Sequence, residues 1–461
     1  MAKRQGLGQA GTVRGMALAV AAALGLATAV AAAQHGSNPK SPAPPPVKAR
    51  FLSNHFPEQP SLAPIASIPL APLGFTAPNI SYLGTRNTFV SLDFIDEDRV
   101  LFTFRVPGLI HRDPKTGAES SEREIRAVVL KLPQGTDEAR IVAEGLWTVH
   151  DRARYLWPLK NGHFLLRDRN NLLEGDATLV LKPFLDFPGS LLWVESDPAQ
   201  QFLVTNSREP LAAAAKPGAP ADGSSSTGSI SGQVSSPATA QATVTTDEDD
   251  AAEDGRPELV VRILRRATGE VMLVSRVRTA VHLPINTAGY VENLRGRGTE
   301  WTLNLSYFTG GSKMLGSVDT ACDPDDEFLS EDEILITGCS ADGASKLVAM
   351  TTEGKTLWIA QAPSTQVWPH MTVAANGSRL AWSTLDASHA LSMFAPMDSE
   401  DVKEQSVTVF DAATGDIAFV SPLSPILDAG GNVAISPSGR RVALLNAGGI
   451  QVFDLPAAGR Q

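Results

Sequence analysis

Two short stretches set aromatic, cationic and imidazole groups close together: LWTVHDRARYLWPL (146–159) and QVWPHM (366–371). Trp157-Pro158 and Trp368-Pro369 read as equivalent places, with His150, Arg154 and His370 beside them. Tryptophan joins a large apolar face to one polar edge, and arginine carries a fixed charge on a long arm. That mixture suits the capture of a partner surface. Trp157, Trp368, His370, His150 and Arg154 are therefore the candidate binding residues. The competing reading is packing, because large aromatics fill interiors more often than ligand sites.

Motifs for catalysis do not appear. There is no G-x-S-x-G elbow, no H-E-x-x-H and no C-x-x-C, and the eight histidines are scattered along the chain. No catalytic residue, metal ligand or cofactor is assigned. Gly6-Leu7-Gly8-Gln9-Ala10-Gly11 fits a dinucleotide fingerprint but has no strand before it and no helix after it. Two acidic runs, DPDDEFLSEDE (323–333) and residues 247–254, lack a calcium-loop pattern and read as solvated charge.

The address is more legible. Lys3, Arg4 and Arg14 precede an apolar stretch over residues 16–30, and Ala31-Ala32-Ala33 follows, the pattern of a cleaved signal peptide (1–33). Three basic and no acidic residues fall within 1–33, so cleavage takes the net charge from -11 to -14. That balance argues against nucleic acid as a partner. No later stretch is apolar enough to span a bilayer. A periplasmic or secreted location follows, and there the two cysteines, Cys322 and Cys339, are a natural pair. They are equidistant from a turn near Ser330-Glu331, so a cross-strand disulfide is expected.

Which elements carry these groups follows from a repeat. SVTVFDAATGDIAFVS (406–421) is a β-rich run, a Thr-Gly turn and a second β-rich run. The plan recurs at 259–276, 301–319 and 346–361. The turn glycines Gly269, Gly311 and Gly354 are 42 and 43 residues apart, and Gly415 follows after 61. A second hairpin type interleaves at 93–104, 158–168, 194–204, 328–338, 372–382 and 434–445, with 283–296 in a seventh place. Two hairpins per 40–45 residues is the signature of an all-β, four-stranded-blade propeller. The expectation is a single β-propeller over 61–461, most simply of seven blades, with six or eight open. Residues 65–75 would supply the strand that closes the last blade. Residues 34–60 read as a proline-rich disordered linker and 211–256 as a disordered insertion inside one blade.

VFDAATGDIAF, AMTTEGKTLW and AISPSGRRVAL carry a resemblance, over most of 65–461, to secreted bacterial β-propellers with WD40-like or quinoprotein-like repeats. The quinoprotein dehydrogenases clamp their cofactor with a disulfide between adjacent cysteines. Here the cysteines are 17 positions apart, so the resemblance reaches the repeat and not that catalyst. It implies a fold and no activity. The expected role is a non-catalytic binding or scaffold propeller of the cell envelope, presenting loops to a protein, peptide or glycan. The alternative is a periplasmic enzyme, hydrolase or lyase, with its site in the central channel. Ionisable residues of several blades converging on the channel, with displaced pKa values, would favour the alternative. A channel lined only by Val, Ala, Ser and Gly would remove it.

Overall fold

The computed structural model describes residue 47 and residues 49–51, 62–77, 90–106, 122–133, 138–150, 154–210, 258–278, 281–341, 343–391, 399–427 and 430–458. The expected signal peptide, most of the expected linker and the expected insertion lie outside these residues. The described chain is built from strands, with only three-residue 3-10 turns as helix.

Seven sheets form, one per blade. Two strands precede the repeat, β1 (Ala49–Phe51) and β2 (Ala66–Pro69). Blade one is β3 (Val90–Phe94), β4 (Arg99–Arg105), β5 (Glu122–Lys131) and β6 (Arg140–His150). Blade two is β7 (Leu156–Pro158), β8 (His163–Asp168), β9 (Asn171–Asp176) and β10 (Lys182–Asp186). Blade three is β11 (Ser190–Ser196), β12 (Phe202–Glu209), β13 (Glu258–Arg265) and β14 (Glu270–Val277). Glu209 pairs with Glu258, so the strands on either side of residues 211–257 are neighbours in one sheet.

Blade four has three strands, β15 (Gly289–Arg295), β16 (Glu300–Tyr307) and β17 (Ser312–Asp319). Residues 281–285 hold its innermost place and meet β15 through one bridge, Ile285 to Tyr290. Pro284 lacks an N–H and cannot extend that ladder. Blade five is β18 (Asp325–Ser330), β19 (Glu333–Cys339), β20 (Ser345–Thr351) and β21 (Thr356–Gln361). Blade six is β22 (Gln366–Val373), β23 (Arg379–Ala387), β24 (Val402–Asp411) and β25 (Ile417–Pro422). Blade seven is β26 (Val433–Ile435), β27 (Arg441–Asn446) and β28 (Gly449–Asp454). As expected from residues 65–75, β2 pairs antiparallel with β28 and completes it. One addition was not foreseen: β1, inside the proline-rich stretch, pairs parallel with β21 as a fifth strand of blade five.

The Thr-Gly turns lie between the two outer strands of their blades. Gly269, Gly311, Gly354 and Gly415 all have positive φ, between 68° and 84°, the left-handed region that glycine enters without a Cβ penalty. At Gly415 a Cβ would also stand 2.6 Å from the Trp358 ring. Each of these outer hairpins carries a bulge, at Ile263/Leu264, Leu303/Asn304, Ala349/Met350 and Val409/Phe410. Bulges at a repeated position increase the twist that each blade needs.

Alternating apolar residues give every blade two apolar faces, and each is buried against a neighbour. One cluster lies between blades seven and one, built on Leu92, Phe102, Ala443 and Val452. Others follow between one and two, two and three, three and four, four and five, five and six, and six and seven. The ring is closed. Inner-hairpin turns add polar ties at one rim. Glu331 accepts from Thr287 N (2.8 Å) and Ala199 N (3.1 Å), joining blades three, four and five. Glu97 accepts from Ser438 N (2.6 Å), joining blades one and seven.

Cys322 and Cys339 form a disulfide, with Cα atoms 5.5 Å apart. Thr320 Oγ1 sits beside it, accepting from Cys339 N at 2.8 Å. A cross-link of this span restricts the unfolded chain and contributes about 3 kcal/mol. Replacing both cysteines with serine should lower the unfolding free energy by that amount in urea titrations. An unchanged midpoint would show that the bond contributes nothing.

Candidate functional site

In a closed propeller the first strand of each blade stands nearest the axis. Among the described residues, six of the seven blades bring an ionisable side chain to these strands or their approaches: Asp93 on β3, Arg154 just before β7, Glu195 on β11, His282 in the inner segment of blade four, Asp325, Asp326 and Glu327 on β18, and His370 on β22. Their charges act on one another. His282 is held between two carboxylates, with Nε2 2.9 Å from Glu195 Oε2 and Nδ1 2.6 Å from Asp325 Oδ1. The Arg154 charge reaches Asp93, Glu327 and His370. Blade seven contributes Gly430, where a Cβ would stand 2.3 Å from His370 Cβ.

These groups are surrounded by protein yet open to water: the side chains of Glu195, His282 and Asp325 keep 14%, 21% and 37% of their surface. The surroundings move their pKa values. Burial pushes Glu327 up to about 7; Glu195 and Asp325 repel its charge, and His282 and Arg154 oppose the rise. Burial also lifts Asp326 to about 7, with repulsion from Asp325 and Glu195 added. Asp93 rises through burial, although Arg154 opposes this and Ser91 Oγ donates to it at 2.5 Å. Burial acts to lower His282, but its two carboxylates outweigh that and hold it well above the usual imidazole value. His370 is pressed down to about 3 by burial and by Arg154. At neutral pH the site therefore holds one clamped imidazolium, one neutral imidazole, and two carboxyls in mid-titration. A carboxyl titrating near 7 falls in the range where general acid–base catalysis operates. Among the described residues no group of three or more His, Cys, Asp or Glu is arranged to hold a metal ion.

The sequence candidates separate. Arg154 and His370 belong to the axial group. Trp157 does not: it is 7% exposed and packs with Leu165, Leu172 and Leu203 between blades two and three. Trp368 is half-buried between blades five and six, edge-on to Trp382 with ring centroids 4.2 Å apart. Trp157 thus faces the following blade and Trp368 the preceding one, so the two places are not equivalent. Arg154 covers the Trp157 ring at 5.9 Å, and its Nε donates to Leu156 O at 3.0 Å. His150 ends β6, the outermost strand of blade one, away from the axis.

Sequence reasoning missed Asp93, Glu195, His282 and the Asp325–Glu327 run. The last was read as solvated charge, whereas Asp326 is 2% exposed. A signal was present: each lies a few residues ahead of an inner-hairpin turn, where an apolar run was the norm.

No family model and no curated protein matches the chain. Solved structures with a similar fold include the C-terminal WD40 domain of Sif2, at 10% identity and TM-score 0.42, covering 86% of this chain and 99% of that one. Another is the β-propeller domain of the Trilobed protease from Pyrococcus furiosus, also at 10% identity and TM-score 0.42, covering 80% and 95%. A third is the Pyrococcus horikoshii acylaminoacyl peptidase, at 10% identity and TM-score 0.43, covering 82% of this chain. The chain spans 54% of that peptidase's length.

The shifts fix how stability varies with pH. Asp326 and Glu327 keep protons that the unfolded chain, with values of 3.8 and 4.5, has released, so their contribution is lost as pH rises toward and through 7. His282 contributes below 6.5 and loses this as pH rises through its higher folded value. His370 acts oppositely, but only below 6.5. Unfolding free energy should therefore fall between pH 6.5 and 8, and Glu327→Gln should flatten the slope. Urea titrations across that range check this; a flat wild-type profile contradicts the assignment.

Proposed function

We propose that the protein is an exported binding propeller whose axis receives a positively charged group of a protein or peptide partner. The observation that carries this reading is the excess of carboxyl groups at the axis: Asp93, Glu195, Asp325, Asp326 and Glu327, with Asp326 and Glu327 part-ionised at neutral pH, against Arg154 and the His282 imidazolium. Apolar walls around like charges concentrate their field, which favours an incoming cation. Burial of Trp157 removes one of the two aromatic platforms a glycan would use, so a peptide suits the site better. Export rests on the basic and apolar pattern of residues 1–33 together with the disulfide. Among the described residues no helix is long and apolar enough to cross a membrane.

The second reading is an enzyme of hydrolase or lyase type, which the gathering of ionisable groups from several blades with displaced pKa values favours. Glu327 titrates near neutrality with the Arg154 charge acting on it, which is what a general acid or base beside an electrostatic stabiliser requires.

Fluorescence anisotropy with a short lysine-rich peptide and its glutamate counterpart tests the first. The lysine peptide should bind, more weakly as salt rises, and Glu195→Gln with Glu327→Gln should weaken it about tenfold, about 1.4 kcal/mol. Equal binding of both peptides, or an affinity unmoved by the double variant, defeats the proposal. Ester or peptide turnover abolished by Glu327→Gln would favour the second.

A further inference from the structure

Between blades four and five, next to the axial group, lies a cavity of about 30 Å³. Its lining includes Asn293, Trp301, Pro324, Asp325, Asp326 and His282. Asp326 is 2% exposed, and neither of its carboxylate oxygens meets hydrogen-bond geometry with any protein group. Asn293 is near enough to favour the ionised form of Asp326, but its Nδ2 is directed at Pro324 O, at 3.3 Å. Asn293 Oδ1 has no hydrogen-bond donor either. Asp326 and Asn293 thus bring three acceptor oxygens to the lining of a small cavity, where the Asn293 amide is the one protein donor near the Asp326 carboxylate.

Buried acceptors require a donor or a cation, and a carboxylate more so than an amide. A cavity of this size takes one ion or about two waters. Charge favours the ion. Glu195, Asp325, Asp326 and Glu327 act together here, while the one imidazole among them is already held on both nitrogens by Glu195 and Asp325. The donors on offer are carboxylate and amide oxygens, which hard divalent cations select and softer metals do not. Two of the three come from Asp326 and one from Asn293, so β18 and β15 each contribute to the shell.

We propose that this cavity is a divalent-cation site of calcium type, with Asp326 and the Asn293 Oδ1 as ligands, that ties the inner part of blade four to β18. The tie falls where it is most needed, because residues 281–285 meet β15 through a single bridge. Only two side chains supply ligands and water must complete the shell, so binding is weak, with a dissociation constant of about 10⁻⁴ to 10⁻³ M. The inference does not depend on a peptide entering the axis.

Terbium luminescence on the full chain tests it, since Trp301 lines the cavity and can sensitise the ion. Emission should saturate at one ion per chain and be displaced by calcium. Asp326→Asn should weaken binding at least tenfold, and Asn293→Asp, which adds a charge, should tighten it about tenfold. Calcium at about 10 mM should raise the wild-type melting temperature by about 3 °C. No emission and no calcium shift in the wild type would overturn the proposal. So would emission unmoved by both variants, which would place the ion elsewhere, for example on the acidic run 247–254. Should Asp326→Asn fail to fold, Asn293→Asp decides: tighter binding supports the site and unchanged affinity overturns it. Lysine-peptide binding measured in EDTA separates the two proposals, because it persists if only the cation site is wrong.

Discussion

A four-stranded blade has two apolar faces and cannot bury either alone. Everything else in this molecule depends on that constraint. Blade five packs Phe328 and Ile334 against blade four and Leu329 and Leu335 against blade six, and every other blade does the same on its two sides. Such a stack has no end at which it could stop without exposing a core face, so it must close on itself. Closure falls to β2, which comes from the far end of the chain to pair with β28 and bury Ala66 and Ile68 beside Phe102 and Val452.

Ring closure also assembles the axial group. Asp93 and His370 are far apart in sequence, and Glu195 and Glu327 belong to blades that are not neighbours. They act on one another only because seven first strands are gathered around one line. The chemistry follows from this placement. Carboxylates crowded by protein lose hydration and repel one another, so Asp326 and Glu327 hold their protons to about 7, while His282, pinned between Glu195 and Asp325, keeps its charge. Burial leaves His370 neutral, and the charge it meets, that of Arg154, is a like charge that adds to the effect.

Much of the architecture could be read from local pattern, because a hairpin is a local object. Its turn demands a glycine at positive φ, as at Gly415, and its strands demand alternation, as in Ser406 to Phe410. The closing strand was legible by deficit, since the last unit offered three strands where its siblings have four. Blade four was harder to read, because Pro284 shortens its inner strand to a bridge. The axial site was largely illegible for a different reason. Apart from the Asp325–Glu327 run, its members are single residues on separate blades, and only their place ahead of an inner-hairpin turn sets Glu195 or His282 apart from surface charge. The aromatic stretches were informative in part: Arg154 and His370 reach the axial group, while Trp157 is buried between blades two and three and Trp368 is half-buried between five and six.

The fifth strand of blade five has a mechanical consequence. The chain is secured at Ala49–Phe51 on the rim of blade five before it reaches the closing pair on blade seven. A force arriving through the preceding segment meets the parallel hydrogen bonds of β1 first and loads them along the strand. The seam that shuts the ring is thereby shielded from tension, and a tether pulled at that end would slacken against blade five before it could peel blade seven open.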